Sequence, residues 1–163
     1  MNVWEKKENN KMKKKIKVYL DTSVISALFD ERNPERKSLT EDFFNQIKDF
    51  EPYVSEITIA EIERTLEIDH KSRMKESILQ FSILSLTDDI EWLAKEYIHY
   101  GAVPENYAED AYHIAIAAIN EIDFLLSWNF KHIVRRRTRD VVKMVNTLNK
   151  LSQIEIMTPS ELL

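Results

Sequence analysis

The segment IKVYLDTSVIS, residues 16–26, is where the fold of this chain can first be read. Ile16, Val18, Tyr19 and Leu20 make a short, almost continuous apolar run, the mark of a strand buried on both faces. The run stops at Asp21. Two hydroxyls follow at Thr22 and Ser23, and apolar residues resume at Val24 and Ile25. A carboxylate at a strand-to-helix junction has two readings. It caps the helix, or it stands where open α/β sheets gather their ligands, outside the carboxyl ends of the strands.

The same alternation continues outward from this segment. Strand-like runs are expected at 52–55, 83–86, 123–127 and 154–156. Helical spacing covers 22–30, 36–50, 57–66, 70–81, 88–100, 105–121 and 138–150, with a last helical turn at Pro159–Leu163. Asn33-Pro34 marks a turn, Thr87 and Asp88 are N-cap residues, and Gly101 stops a helix. Strands alternating with helices predict a three-layer α/β/α sandwich with a central parallel sheet of four to five strands. Residues 1–15, MNVWEKKENNKMKKK, are polar and lysine-rich and read as a flexible basic extension. Met12 is an alternative start, which leaves open whether residues 1–11 belong to the native chain. Residues 16–163 read as a single domain.

Composition removes several classes of chemistry. The 163 residues include no cysteine, which excludes thiolate metal sites, disulfides and thiol nucleophiles. One glycine is too few for a Gly-rich nucleotide loop. A net charge of -5 argues against a generally basic nucleic-acid binder but leaves a local patch open. No apolar run reaches membrane-spanning length and no secretory signal is visible, so a cytoplasmic protein without membrane attachment is the expectation.

Three acids stand out along this pattern. Asp21 follows the first strand, Glu61 lies in the helix after the second, and Asp110 opens the alanine-rich helix before the fourth. Each has an ordinary explanation. Asp21 can cap a helix, Glu61 can be solvated, and Asp110 can favour a helix N-terminus. Yet Glu61 sits among Ile57, Ile59, Ala60 and Ile62, and Asp110 shares its face with Ile114 and Ala117. Buried carboxylates need a partner, and several converging on one place are balanced most simply by a shared divalent cation. Oxygen donors favour Mg²⁺ or Mn²⁺.

With these residues in view, the chain resembles the PIN-domain family, and within it the VapC-type ribonuclease toxins of toxin–antitoxin pairs. The resemblance rests on LDTSVIS at 20–26, SEITIAEIE at 55–63, EDAYHIAIAA at 109–118 and DFLLSWNFKHI at 123–133, and spans about residues 16–158. It implies Asp21, Glu61 and Asp110 as metal-binding and catalytic acids, with Thr22, Ser23 and His113 supporting them. Many members carry an aspartate just after the fourth strand, in a Thr-x-Asp pattern. Here Ser127-Trp128-Asn129 puts Asn129 at that position, a neutral side chain that ligates through its carbonyl oxygen or holds a water. Asp123 is no replacement, because it lies at the opposite end of the strand and reads as a cap or turn residue.

The resemblance further implies metal-dependent hydrolysis of RNA phosphodiester bonds with Mg²⁺ or Mn²⁺, leaving a 5′-phosphate and a 3′-hydroxyl. It implies a cognate antitoxin protein and a homodimer. His113 has two readings, a hydrogen-bond partner of a carboxylate or a packed structural histidine. Lys131, Arg135, Arg136 and Arg137, with His132 and Arg139 nearby, either grip the RNA backbone or form a solvated surface run. Trp128 either stacks on a base or packs under a helix. Leu39, Phe43, Leu66 and Ile78 serve either partner contacts or the core. The alternative to an enzyme is a nuclease-like fold that binds RNA or protein without cutting. The RNA target, the antitoxin's identity, and the choice between toxicity and RNA processing are not legible in the residues.

Overall fold

Strand β1, Ile16–Leu20, runs through the centre of the molecule. Val18, Tyr19 and Leu20 are fully buried. Their side chains alternate, so Val18 and Leu20 join one apolar cluster and Tyr19 the other. This is why the run is apolar without a polar face: both sides of the strand are covered.

The computed structural model describes residues 14–163. The expected flexible extension, up to residue 13, lies outside the described residues. Lys15 donates from Nζ to the Lys48 carbonyl at 2.7 Å. The remaining strands are β2 (Phe50–Ser55), β3 (Ser82–Leu84), β4 (Phe124–Leu126) and β5 (Glu155–Met157). They form one five-stranded sheet in the order β3-β2-β1-β4-β5, with every neighbouring pair parallel. The helices are α1 (Thr22–Ala27), α2 (Pro34–Asn45), α3 (Glu56–Glu63), α4 (Ile68–Ser77), α5 (Asp88–His99), α6 (Ala108–Ile119) and α7 (Arg136–Leu148).

The two clusters show which helices cover which face. Val24 and Ile25 of α1, Phe43 of α2, Ile62 of α3 and Met74 of α4 pack with Val18, Leu20, Val54 and Leu126. Leu93 and Tyr97 of α5, Ile114 and Ala117 of α6 and Val142 and Val145 of α7 pack with Tyr19, Leu125 and Ile156. The expected α/β/α sandwich is the observed fold.

Element boundaries differ from the sequence expectation where pairing or local geometry overrides propensity. The run 36–50 does not stay helical. After Asn45 it passes through a 3-10 turn at Ile47–Asp49, and Phe50 and Glu51 are taken into β2 by pairing with Ile16 and Lys17. The third strand ends at Leu84 instead of Leu86, because its register partner, Ser55, is the last residue of β2. The helix expected over 105–121 is broken. Pro104 is extended, Glu105–Tyr107 makes a 3-10 turn, and only then does α6 begin.

Several caps behave as the sequence implied. Thr87 caps α5 by accepting the Ile90 N–H. Gly101 ends it with φ of 80°, while the Ala102 N–H reaches the Tyr97 carbonyl at 2.8 Å and the Gly101 N–H the Ile98 carbonyl at 3.0 Å. Asp123 lies at the far end of β4, where its Oδ2 accepts the Lys17 N–H at 2.8 Å. Phe43 and Ile78 are core and Leu39 packs against the core. Leu66, by contrast, is 96% exposed. No helix among the described residues is long and apolar enough to cross a membrane.

Candidate active site

The strand order fixes where a site forms. From β1 the chain steps to β2 and β3 on one side, and β4 and β5 are added on the other. The reversal falls between β1 and β4, and the carboxyl ends of those two strands border the crevice where such sheets bind ligands. Asp21 leaves β1 at that point and Ser127 leaves β4. The two exits are tied by the Asp21 N–H to the Leu126 carbonyl, 3.0 Å.

Asp21 is 4% exposed and does not use its side chain to cap α1, so the cap reading fails here. Its Oδ2 instead accepts two hydroxyls, Ser23 Oγ at 2.6 Å and Ser127 Oγ at 2.8 Å. Each hydroxyl in turn accepts a backbone N–H from the β4 exit. Trp128 donates to Ser23 and Asn129 to Ser127, both at 2.9 Å. Two short donor chains therefore fix one oxygen of Asp21, and the other, Oδ1, lies 3.4 Å from His113 Nε2.

His113 is fully buried. Its Nε2 is hydrogen-bonded to Glu61 Oε1 as well as facing Asp21. Its Nδ1 lies 2.6 Å from the Tyr19 hydroxyl, which continues to Ser55 Oγ at 2.7 Å. Burial opposes charge on this imidazole, but Tyr19, Glu61 and Asp21 together outweigh it and push its pKa well above the ordinary histidine value. His113 meets both readings: it is packed in the core and it is hydrogen-bonded to a carboxylate.

Asp110, in the first turn of α6, is held from the other side. His132 Nδ1 lies 3.0 Å from its Oδ2. Burial and the charge of Asp21 push the Asp110 carboxyl above the usual carboxylate range, against the pull of His113 and His132. Near the same edge, Arg64 at the end of α3 pairs with Glu109, both contacts 2.8 Å, tying α3 to the first turn of α6.

Asn129 Oδ1 accepts the His132 N–H at 2.9 Å. The side chain thus organises the turn that delivers His132 to Asp110. Trp128 packs beneath α2, with its ring N–H on Thr40 Oγ1 at 2.9 Å and Arg36 over its ring, so it is not free to stack on a base. The basic residues separate. Lys131 stays beside the site, its Nζ 5.6 Å from the Tyr107 ring centre. Arg135 binds the Ala102 carbonyl and Arg137 the Gly101 carbonyl, and both line a cavity of about 710 Å³ with Lys95 and His99. Arg136 is exposed near Asp140, and Arg139 reaches the Ile156 carbonyl.

Carboxylate and amide oxygens, with no thiolate, suit a hard divalent cation. Two observations bear on the fit. Asp110 and Asp21 repel each other in a partly buried setting, and Thr22 Oγ1, next to Asp21, is buried with no hydrogen-bond partner. Both are demands that an ion or its waters would meet. His113 and His132 already answer part of that demand, and among the described residues no group of three or more His, Asp or Glu side chains is placed to hold a metal ion. Oxygen donors of this kind suit a hard divalent cation in chemistry and charge.

Sequence reasoning missed three participants. Ser127 carried a usable signal, a hydroxyl one residue beyond β4. His132 was legible only as a member of the basic run. Tyr19 gave no signal, since its ring belongs to the core and only its hydroxyl reaches the site.

A doubly wound parallel sheet with carboxylates at its switch point defines a broad class of α/β enzymes and binding proteins. The chain belongs to the PIN-domain family, whose profile matches residues 18–131. Among solved structures, VapC20 of Mycobacterium tuberculosis, a sarcin-ricin loop cleaving toxin, shares the fold with a TM-score of 0.52 and 18% identity, over 71% of this chain and 92% of that one. No curated protein matches by sequence.

Proposed function

We propose that the protein is a Mg²⁺- or Mn²⁺-dependent ribonuclease that hydrolyses RNA phosphodiester bonds, and that it is the toxin of a toxin–antitoxin pair. What supports this reading is the meeting of Asp21 and Glu61 at the buried His113 beside the β1–β4 switch point, with Asp110 one helical turn before His113 on α6, in a chain of the PIN-domain family. A divalent ion bound there supplies positive charge for a phosphate oxygen and acidifies water. Ser23 and Ser127 hold Asp21 in one rotamer, His113 orients Glu61, and His132 orients Asp110. Glu61 or Asp110 positions the attacking water and accepts its proton. Lys131 lies beside the same edge and attracts the RNA backbone. Attack in line with the leaving oxygen gives a 5′-phosphate and a 3′-hydroxyl.

The antitoxin and homodimer belong to the same proposal. Leu66, Ile68 and Leu79, on and around α4, are exposed and offer the kind of apolar surface a partner covers. A second reading, an RNA- or protein-binding module without catalysis, draws on Asn129 and on the histidines that already pair with the acids. Purified protein with single-stranded RNA and Mg²⁺ or Mn²⁺ separates the two. Cleavage that Asp21→Asn abolishes supports the nuclease; RNA retained but uncut by both proteins supports the module.

A further inference from the structure

A cavity of about 710 Å³ opens where the end of α5 meets the start of α7. Four basic side chains line it: Lys95 and His99 from α5, Arg135 from the N-cap of α7 and Arg137 from its first turn. Asp21, Glu61, Asp110, His113 and His132 are all outside its wall, and its single acid is Glu105. Each arginine is held by one edge. Arg135 donates from Nε to Thr138 Oγ1 at 2.8 Å and from Nη2 to the Ala102 carbonyl at 3.1 Å. Arg137 donates from Nε to the Gly101 carbonyl at 3.0 Å. Gly101 makes the seat for that guanidinium, since an added Cβ would lie 2.8 Å from Arg137 Nη2. A guanidinium carries five N–H donors, so most of these donors stay uncommitted.

Charge in this cavity is poorly balanced. Lys95 has Glu91 at 3.1 Å, but the carboxylates paired with the 135–139 run go to Arg136 and Arg139. Among the described residues, neither Arg135 nor Arg137 has one. Like charges gathered round one hollow, with Arg135 partly buried, are relieved by a bound anion. Ile98, Val103 and Pro104 add an apolar wall beside the cations. Arginine donors next to an apolar wall, in a space of this volume, suit a mononucleotide: the phosphate takes the guanidinium groups and the base takes the wall. The basic run does not continue as a track that a polymer would follow. Arg136 turns to Asp140, and Arg139 to the Ile156 carbonyl.

We propose that the cavity between α5 and α7 binds a free nucleoside phosphate, with its phosphate on Arg135 and Arg137 and its base along Val103 and Pro104. This site is separate from the acids and stands or falls independently of the nuclease reading. The test is calorimetric titration of the full chain with AMP, adenosine and inorganic phosphate, in chelator and without added metal. AMP is expected to saturate one site, phosphate to bind there more weakly, and adenosine not to bind. Arg137→Gln changes an exposed side chain with one backbone bond, and is expected to weaken AMP roughly 10- to 100-fold. Glu105→Gln removes the acid of the cavity and is expected to tighten AMP, while Asp21→Asn leaves it unchanged. No saturable AMP binding, or binding that ignores both Arg137→Gln and Glu105→Gln, overturns the proposal. AMP binding lost in Asp21→Asn also overturns it and places the nucleotide at the acids. Single-stranded RNA that binds through Arg137 where AMP does not overturns it as well, and makes the cavity part of an RNA-binding surface.

Discussion

Asp21 shows how far a single residue could be read. Its place after a buried strand marked it, and the hydroxyl at Ser23 was legible two positions on. The second hydroxyl, Ser127, and the imidazole partner, His113, are far away in sequence, so only the folded sheet brings them to it. Tyr19 is the extreme case, since a strand pattern records the ring and not what the hydroxyl meets. Removing that hydroxyl leaves His113 Nδ1 without its buried partner, while Ser55 Oγ keeps only its contacts with Thr58. Tyr19→Phe is expected to lower stability by about 1–3 kcal/mol in urea unfolding, and an unchanged midpoint contradicts the relay. Asn129 invites the converse test. Asn129→Asp keeps an acceptor for the His132 N–H, whereas Asn129→Ala loses it and is expected to cost about 1 kcal/mol. Equal stability of the two variants contradicts the turn-forming role.

Elements were legible in kind and order but less so in extent. The sequence shows local preference, and the ends of β2, β3 and the 105–121 segment were settled by a neighbouring strand or by Pro104. Where a special backbone conformation is required, the sequence spoke clearly. Gly101, the lone glycine, sits at φ of 80°, and an added Cβ would meet Arg137 Nη2 at 2.8 Å. Gly101→Ala is expected to destabilise by about 1–2 kcal/mol, read from thermal or urea unfolding. A neutral effect contradicts the strained-cap reading.

The packing of α5 against α7 carries a pH signature. The Tyr97 hydroxyl donates to Asn146 Oδ1 at 2.5 Å in the core, and burial raises its pKa well above the ordinary tyrosine value. A raised folded pKa means that its stabilising contribution is complete below the unfolded pKa of about 10 and is lost as pH rises through the folded value. Between them, the unfolded chain releases a proton that the folded chain keeps. Stability is expected to fall above pH 10 with an added slope of about 1.4 kcal/mol per pH unit, a slope that Tyr97→Phe lacks. Parallel pH profiles for the two proteins contradict this.

At the scale of the whole molecule, the alternating strands and helices made the three-layer sandwich legible, and the strand-end rule directed attention to Asp21. The strand order was not legible, because no residue pattern says on which side of β1 a later strand is added. That order puts Asp21 and Ser127 together at the switch point, with the acids of α3 and α6 beside them. The central claim is that these acids cut RNA with a divalent metal. The direct measurement is product analysis of a single-stranded RNA incubated with the purified protein in Mn²⁺ or Mg²⁺, with chelator, and with Asp21→Asn. New 5′-phosphate ends that vanish with chelator and in the variant are predicted. Intact RNA with the parent protein in both metals, or cleavage that persists in Asp21→Asn, contradicts it.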